Sequence, residues 1–132
     1  MGLDLGTKRI GVAVSDESRT IAQGRGFITR KSDAQAVAEI KKAAAENCVS
    51  EIIVGLPLNM DGSKGERARD SEKIAAFLEK ETLLAVKLWD ERLSTREAES
   101  VMLMADVSRK KRKKAVDSLA ARLILQSYLD SR

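Results

Sequence analysis

Three carboxylates that lie far apart in the sequence are the side chains best suited to chemistry. Asp4 and Glu91 lie within or just after predicted strands, and Asp117 lies near the start of the last predicted helix. Oxygen ligands that converge from separate segments are what one or two divalent cations need for phosphodiester chemistry. The chain contains no histidine, which excludes an imidazole general base and a histidine-ligated zinc site. Any catalysis must therefore use carboxylates, lysines or hydroxyls.

Each of these acids also has a structural interpretation. An unpaired carboxylate in a buried strand is costly, so an ion pair between Asp4 and Lys8 or Arg9 is the alternative to a metal. Asp90 and Glu91 are adjacent, and in a continuing strand they point to opposite sides, so only one of them can face Asp4. Negative charge also stabilises the start of a following helix, and this interpretation stays open for both.

Asp117 has the same helix-dipole alternative, because it falls in the first turns of its predicted helix. At helical spacing it shares a face with Ala120, Ala121 and Ile124. The alanines would let the helix pack closely on the sheet and hold the carboxylate near the strand ends. We therefore favour a role at the site for Asp117.

Composition places the chain among soluble globular proteins. Its 132 residues fit one domain, 1–132, with 43% hydrophobic and 33% charged residues. There is no apolar run of the ~20 residues that span a bilayer, and no pattern of a secretory signal. The single Cys48 cannot form an internal disulfide, which fits a cytoplasmic protein. We expect Cys48 to be a small core residue on a helix.

The charge of the chain indicates a polyanionic partner. The net charge is +4, and an unbroken block of six cations comes just before Asp117. A solvated surface is the alternative interpretation of such a block. However, cations at a helix start oppose the helix dipole, and binding of phosphates would explain why that cost is tolerated. The block consists of Arg109, Lys110, Lys111, Arg112, Lys113 and Lys114.

Hydrophobic periodicity predicts an α/β domain with the element order βββαβαβαα. Short spacers between the first three strands favour hairpins, whereas later apolar strands separated by helices favour parallel pairing. The result is a five-stranded mixed sheet flanked by helices, with ligands expected beyond the carboxyl ends of the parallel strands. The predicted strands are 2–6, 9–14, 21–28, 51–55 and 84–89, and the last helix is about 113–129.

Three predicted helices begin with a serine that is followed three residues later by Glu or Gln, the pattern of a capping box. The segment 55–65 before the second of these helices is rich in glycine, so free N–H groups there could bind phosphate. A plain turn is the more common meaning of such a loop. The three pairs are Ser32 and Gln35, Ser63 and Glu66, and Ser94 and Glu97.

Four blocks of the sequence resemble the bacterial YqgF family, also called RuvX, in the family's order. They are GLDLGTKRIGVAVSD at 2–16, VGLPLNMDGS at 54–63, WDERLST at 89–95 and DSLAARLILQ at 117–126. The resemblance implies an RNase H-like fold, a cytoplasmic location and a nuclease role in maturing the 5′ end of pre-16S ribosomal RNA. Kinship of that family to Holliday-junction resolvases adds branched DNA as an alternative substrate.

By position, the family's acidic residues correspond to Asp4, Glu91 and Asp117, with Asp90 as the alternative to Glu91. Many RNase H-like nucleases also place an acid at the end of the fourth strand, where this chain has Gly55. Our hypothesis is a metal-dependent nuclease in which these three acids are the catalytic residues and hold Mg²⁺ or Mn²⁺.

Residues at the same edge are expected to bind the nucleic acid. Lys8, Arg9 and the block 109–114 would contact backbone phosphates, while Asn59 in the loop 56–62 and the helix start at Ser94 and Thr95 would position the strand. Phosphate contacts carry little sequence information. Specificity would therefore come from RNA shape, unpaired ends or a ribosomal particle.

Two other functions remain as alternatives. A binding module that recognises structured RNA without cutting it would not need Asp4. A sugar-kinase or actin-like ATPase also begins with a segment like 4–7, but such proteins bind nucleotide between two domains. The sequence does not choose between a monomer and a homodimer.

Overall fold

The computed structural model describes residues 1–93 and 109–132, the side chains of 109–117 excepted. The predicted third helix, with its proposed cap at Ser94, lies outside the described residues. A short 3₁₀ turn, Glu91–Leu93, follows the last strand. The remaining elements are β1 (Gly2–Leu5), β2 (Arg9–Ser15), β3 (Ala22–Thr29), α1 (Asp33–Glu46), β4 (Glu51–Leu56), α2 (Glu66–Thr82), β5 (Ala85–Asp90) and α3 (Arg109–Asp130).

The five strands form one mixed sheet, as predicted, and their order in the sheet is β3-β2-β1-β4-β5. The hairpins β1–β2 and β2–β3 are antiparallel, whereas the pairs β1–β4 and β4–β5 are parallel. The helix α1 leads from β3 to β4, and α2 leads from β4 to β5. The carboxyl ends of β1, β4 and β5 therefore lie side by side at one edge of the sheet. Side chains that follow these three strands are brought together there.

Alternation along β1 divides its side chains between the two faces of the sheet. Leu3 and Leu5 are buried in the core formed with α1 and α2. The other face is covered by α3, whose Ala121, Ile124 and Leu125 are buried against it. Asp4 points to the α3 face, because a side chain at Gly2, two residues earlier, would meet Leu125 and Ala121.

Two glycines allow α3 to approach the sheet closely. A Cβ atom at Gly2 would lie 2.7 Å from the Cβ of Leu125, and one at Gly24 would lie 2.6 Å from the Oγ of Ser118. Real Cβ atoms do not approach other atoms so closely, so a larger residue at either position would push the helix away. The close packing predicted for this helix is therefore present, and it depends on β-strand glycines as well as on helix alanines.

The first capping box is confirmed and the second is wrong. Ser32 accepts a hydrogen bond from the Gln35 N–H, and the Gln35 side chain reaches back to the cap. The second helix begins at Glu66 after Gly65, without a side-chain cap. Ser63 instead belongs to the preceding turn, where its hydroxyl accepts from the Asn59 side chain at 2.9 Å.

The position predicted for Cys48 is also wrong. It lies after the end of α1, is exposed, and has a φ of 53°. The helix has already ended at Asn47, so Cys48 is part of the left-handed turn into β4 rather than of the core. Among the described residues, no helix is long and apolar enough to cross a membrane.

Candidate active site

Asp4 and Glu91 meet at the carboxyl ends of the parallel strands. Asp4 lies in β1, and Glu91 is the first residue of the 3₁₀ turn after β5. Their side chains are joined by a hydrogen bond, and burial together with Asp4 raises the pKa of Glu91 to about 8. Near neutral pH the Glu91 carboxyl is therefore protonated and donates to Asp4, because two carboxylates in contact cannot both ionise without a large cost.

Gly55 makes the space in which Glu91 lies. A Cβ atom built at Gly55, near the end of β4, would lie 3.0 Å from the Cδ of Glu91 and 2.7 Å from the Cδ1 of Ile124. Any larger residue would displace the carboxyl group or the α3 side chain. The end of the fourth strand thus has no acid of its own, but the carboxyl of Glu91 occupies the space directly above it.

Asp90 is turned away from this pair and binds Arg92. The Arg92 guanidinium donates to both carboxylate oxygens of Asp90, with Nη2 2.7 Å from Oδ2 and Nε 3.1 Å from Oδ1. These hydrogen bonds with Arg92 lower the pKa of Asp90. The structure therefore brings Glu91, and not Asp90, to Asp4.

Arg67 is a cation at this edge that sequence patterns did not single out. It is the second residue of α2, and its Nη2 donates to the Leu5 carbonyl at 3.3 Å. Its positive charge opposes the burial that raises the pKa of Glu91. In the sequence it differs in no visible way from Arg69, and only the register of α2 separates the two.

A groove of about 390 Å³ lies between the turn that follows β1 and the first turns of α2. On its far side, Arg30 donates to both oxygens of Asp70 at 2.8 Å and to the Gly6 carbonyl at 3.1 Å. A further bond joins Arg30 to Asp33 at 3.0 Å. This network fixes the turn that follows Asp4. The groove is lined by Leu5, Gly6, Thr7, Arg30, Glu66, Arg67 and Asp70.

The residues predicted to bind nucleic acid are only partly described. Lys8 and Arg9 are exposed in and after the β1–β2 turn, and the Arg9 guanidinium lies 4.9 Å from the centre of the Phe27 ring. Asn59 is exposed, but its side chain is bound within the turn to Ser63. Ser94, Thr95 and the side chains of the block 109–114 lie outside the described residues.

The described acids have the donor chemistry of a Mg²⁺ or Mn²⁺ site, although fewer than three of them converge. No group of three or more acidic, cysteine or histidine side chains converges within 1–93 and 118–132. The side chain of Asp117 lies outside these ranges, while the helix that carries it packs over Gly55 through Ile124. Two carboxylates suffice to fit Mg²⁺, which is commonly held by one or two carboxylates, waters and substrate phosphates.

Comparisons with known proteins find a family model and relatives that match nearly the whole chain. The family model described as "RuvX: Holliday junction resolvase" matches residues 1–131. A protein of Halothermothrix orenii named "Putative pre-16S rRNA nuclease" is 52% identical over 130 residues, covering 98% of this chain and 93% of the relative. A protein of Myxococcus xanthus with the same name is 50% identical over 131 residues, covering 99% and 87%.

Two solved structures share the fold at low sequence identity. The RuvC protein of T. thermophilus in complex with a Holliday junction substrate superposes with a TM-score of 0.61 and 14% identity, covering 99% of this chain and 92% of that one. A Fowlpox virus resolvase in complex with Holliday junction DNA has a TM-score of 0.53 and 12% identity, covering 98% and 95%. The likeness shows that the architecture is RNase H-like.

Proposed function

The chain belongs to the RuvX family and is a nuclease, and we propose that it hydrolyses phosphodiester bonds of RNA with divalent metal held by Asp4 and Glu91. The observation that carries this proposal is the contact of these two carboxyl groups at the strand ends, above Gly55. Asp117 is proposed as the third ligand, because its helix packs over the same edge.

The acidic pair gives the chain's own residues a defined task. When bound, Mg²⁺ or Mn²⁺ would activate water for attack on the phosphate and stabilise the leaving oxygen. Asp4 and Glu91 would hold the cation, and Glu91 would have to release its proton first, because a protonated carboxyl is a poor ligand. Arg92 keeps Asp90 out of the centre by pairing with it.

The proposed substrate is the 5′ precursor region of 16S rRNA, cut in the cytoplasm. Its support is the printed name of relatives at about half identity over nearly the full chain. The net charge of +4 and the block 109–114 suit a phosphate backbone. Only 3% of the residues are aromatic, so stacking platforms for bases are scarce. We therefore expect recognition of RNA shape, or of a ribosomal particle, rather than of sequence.

Branched DNA is the second candidate substrate. It is favoured by the description of the family and by the shared fold with a resolvase solved on a Holliday junction. The metal chemistry would be the same, because both substrates present a phosphodiester to the acidic pair.

The test is a cleavage assay with the purified protein on two substrates, an RNA spanning its own 5′ precursor region and a four-way DNA junction. Each is incubated with Mg²⁺, Mn²⁺ or chelator, alongside Asp4→Asn and Asp117→Asn proteins. We expect metal-dependent cutting of the RNA that is lost in both variants while binding is retained. Faster cutting of the junction would favour the second candidate. If the protein binds naked RNA and precursor particles but cuts neither, the result would favour a binding module and contradict the proposal.

A further inference from the structure

We propose that Arg67 is a catalytic residue of this site, whose guanidinium binds a non-bridging oxygen of the phosphate that is cut. This inference rests on the proposed function and assigns a residue that neither sequence pattern nor family description indicates. It starts from the position of Arg67, which lines the groove and contacts the backbone directly after Asp4.

Position is the first support. The Arg67 Nη2 is held 3.3 Å from the carbonyl of Leu5, the residue directly after Asp4. The same residue lines the groove of about 390 Å³ that begins at Leu5 and the turn after it. Arg67 reaches the edge from α2, on the face of the sheet opposite to α3, whereas Asp4 points to the α3 face. A phosphate above the strand ends would therefore have the acids on one side and the guanidinium on the other.

Charge is the second support. The Arg67 guanidinium is held at the carbonyl of Leu5, which directly follows Asp4 in β1. A phosphate bound above the end of β1 would therefore be close to this positive charge. Glu66 also lines the groove, so the groove as a whole is not a general basic patch. The attraction for phosphate is concentrated at Arg67.

Availability of hydrogen-bond donors is the third support. The groove contains two guanidinium groups, and that of Arg30 is engaged by Asp70, Asp33 and the Gly6 carbonyl. Its side chain is only 11% exposed. Arg67 is exposed and forms no ion pair with a carboxylate of the described residues. A guanidinium has five N–H donors, and the Leu5 carbonyl accepts from only one of its nitrogens.

The chemistry suits this assignment. Negative charge is distributed over the non-bridging oxygens as a phosphodiester is attacked, and a guanidinium donates two parallel hydrogen bonds to such oxygens. Arg67 keeps its proton throughout, so it stabilises charge and transfers nothing. Loss of one donor of this kind typically slows a reaction by about 10²–10³-fold.

The test compares Arg67→Ala with Arg69→Ala. Both remove one exposed arginine from the first turns of α2, but Arg69 does not line the groove. Single-turnover cleavage is measured at saturating RNA with Mg²⁺, and RNA binding is measured in chelator, where no cutting occurs. We expect Arg67→Ala to cut about 10²-fold more slowly, with binding in chelator within about threefold of Arg69→Ala. Millimolar guanidinium should restore part of the rate in Arg67→Ala only.

Two results would overturn the assignment. One is equal cleavage by the two variants, and the other is a loss of affinity in Arg67→Ala with an unchanged rate at saturation. Arg67→Lys keeps the positive charge and serves as the test if the alanine variant does not fold. It should cut at least about tenfold more slowly than the parent protein, because an ammonium cannot donate in the bidentate geometry. If the parent and Arg69→Ala proteins cut no substrate, the proposed function itself fails, which is a different outcome from failure of Arg67 alone.

Discussion

At the scale of single residues, the site is a balance between burial and charge around Glu91. Its carboxyl lies against Asp4 in space that exists only because residue 55 is glycine. Burial and Asp4 disfavour ionisation of Glu91, and Arg67 partly offsets both. A divalent cation would remove the conflict, because each carboxylate could then ionise and bind it. The arrangement is therefore unfavourable for two free carboxylates and favourable for carboxylates that share a cation.

The raised pKa of Glu91 predicts how stability depends on pH without metal. Folding favours the protonated carboxyl, so its stabilisation is fully present below about pH 4.5, the ordinary pKa, and is lost as the pH rises towards about 8. As the pH rises from about 4.5 to about 8, the free energy of unfolding of the parent protein should therefore fall relative to that of Glu91→Gln. Denaturant titration in chelator measures both. Mg²⁺ should restore the parent at pH 8 and affect Glu91→Gln less. A pH-independent difference between the two proteins would contradict this account of Glu91.

Gly55→Ala should damage the site and the packing together. The added methyl would lie 2.7 Å from Ile124 and 3.0 Å from the Glu91 Cδ, so one of them must move. We expect a loss of about 1–3 kcal/mol in the free energy of unfolding and a large loss of cleavage.

Gly65→Ala is the matched control for this substitution. Its methyl would meet only Asn59, at an ordinary distance of 3.6 Å. It should cost less than about 1 kcal/mol and leave cleavage unchanged. Equal behaviour of the two variants would show that the space at residue 55 is not needed.

Sequence reasoning could find Asp4 and Glu91 because each stands out against an apolar strand. The residues alone left Asp90 and Glu91 open, and only the family resemblance favoured Glu91. In the structure the two differ because the guanidinium of Arg92 binds Asp90. Arg67 was not found, since two arginines in one helical turn look alike until the register of α2 is known. The true start of α2, at Glu66 rather than at a Ser63 cap, decides which arginine reaches the Leu5 carbonyl.

At the scale of elements, the strands were predictable from their alternating or continuous apolar residues, and their pairing followed from the lengths of the connections. Helix starts were less predictable, because the same serine pattern has two outcomes. Ser32 is free to cap α1, whereas the hydroxyl of Ser63 is already used in the turn with Asn59. A local pattern cannot show that its hydroxyl has another partner.

The capping box of α1 gives a prediction at this scale. Ser32→Ala removes the acceptor for the Gln35 N–H and should lower the free energy of unfolding by about 1 kcal/mol. Ser32→Asp keeps an acceptor and should stay close to the parent. Thermal or denaturant unfolding of the three proteins is the measurement, and equal loss in both variants would mean that the cap itself contributes nothing.

At the scale of the whole molecule, three parallel strands bring the acids, the groove and the start of α2 to one edge of the sheet. In the proposed function the opposite signs of charge have separate tasks, with a compact acidic pair for the metal and dispersed cations for the phosphate backbone. Binding and cutting should therefore be separable by mutation.

Salt dependence tests the role of the block 109–114. Replacing Arg109, Lys110 and Lys111 with glutamine should weaken RNA binding and reduce the slope of log affinity against log salt by about 2, if each cation contacts one phosphate of a single strand. The control removes the same charge from exposed positions on α1 and α2, by substitution of Lys41, Lys42 and Lys80. It should change the slope little. Equal slopes for the two triple variants would show that the block makes no specific phosphate contacts.

The most direct test of the central claim is the single-turnover cleavage rate of Glu91→Gln beside Asp90→Asn, at saturating RNA and Mg²⁺. The two substitutions neutralise adjacent carboxylates, but only Glu91 meets Asp4. We expect Glu91→Gln to lose at least about 10²-fold in rate with RNA binding retained, while Asp90→Asn stays within about tenfold of the parent. A parent-like rate for Glu91→Gln, or a greater loss in Asp90→Asn, would contradict a catalytic centre built on Asp4 and Glu91.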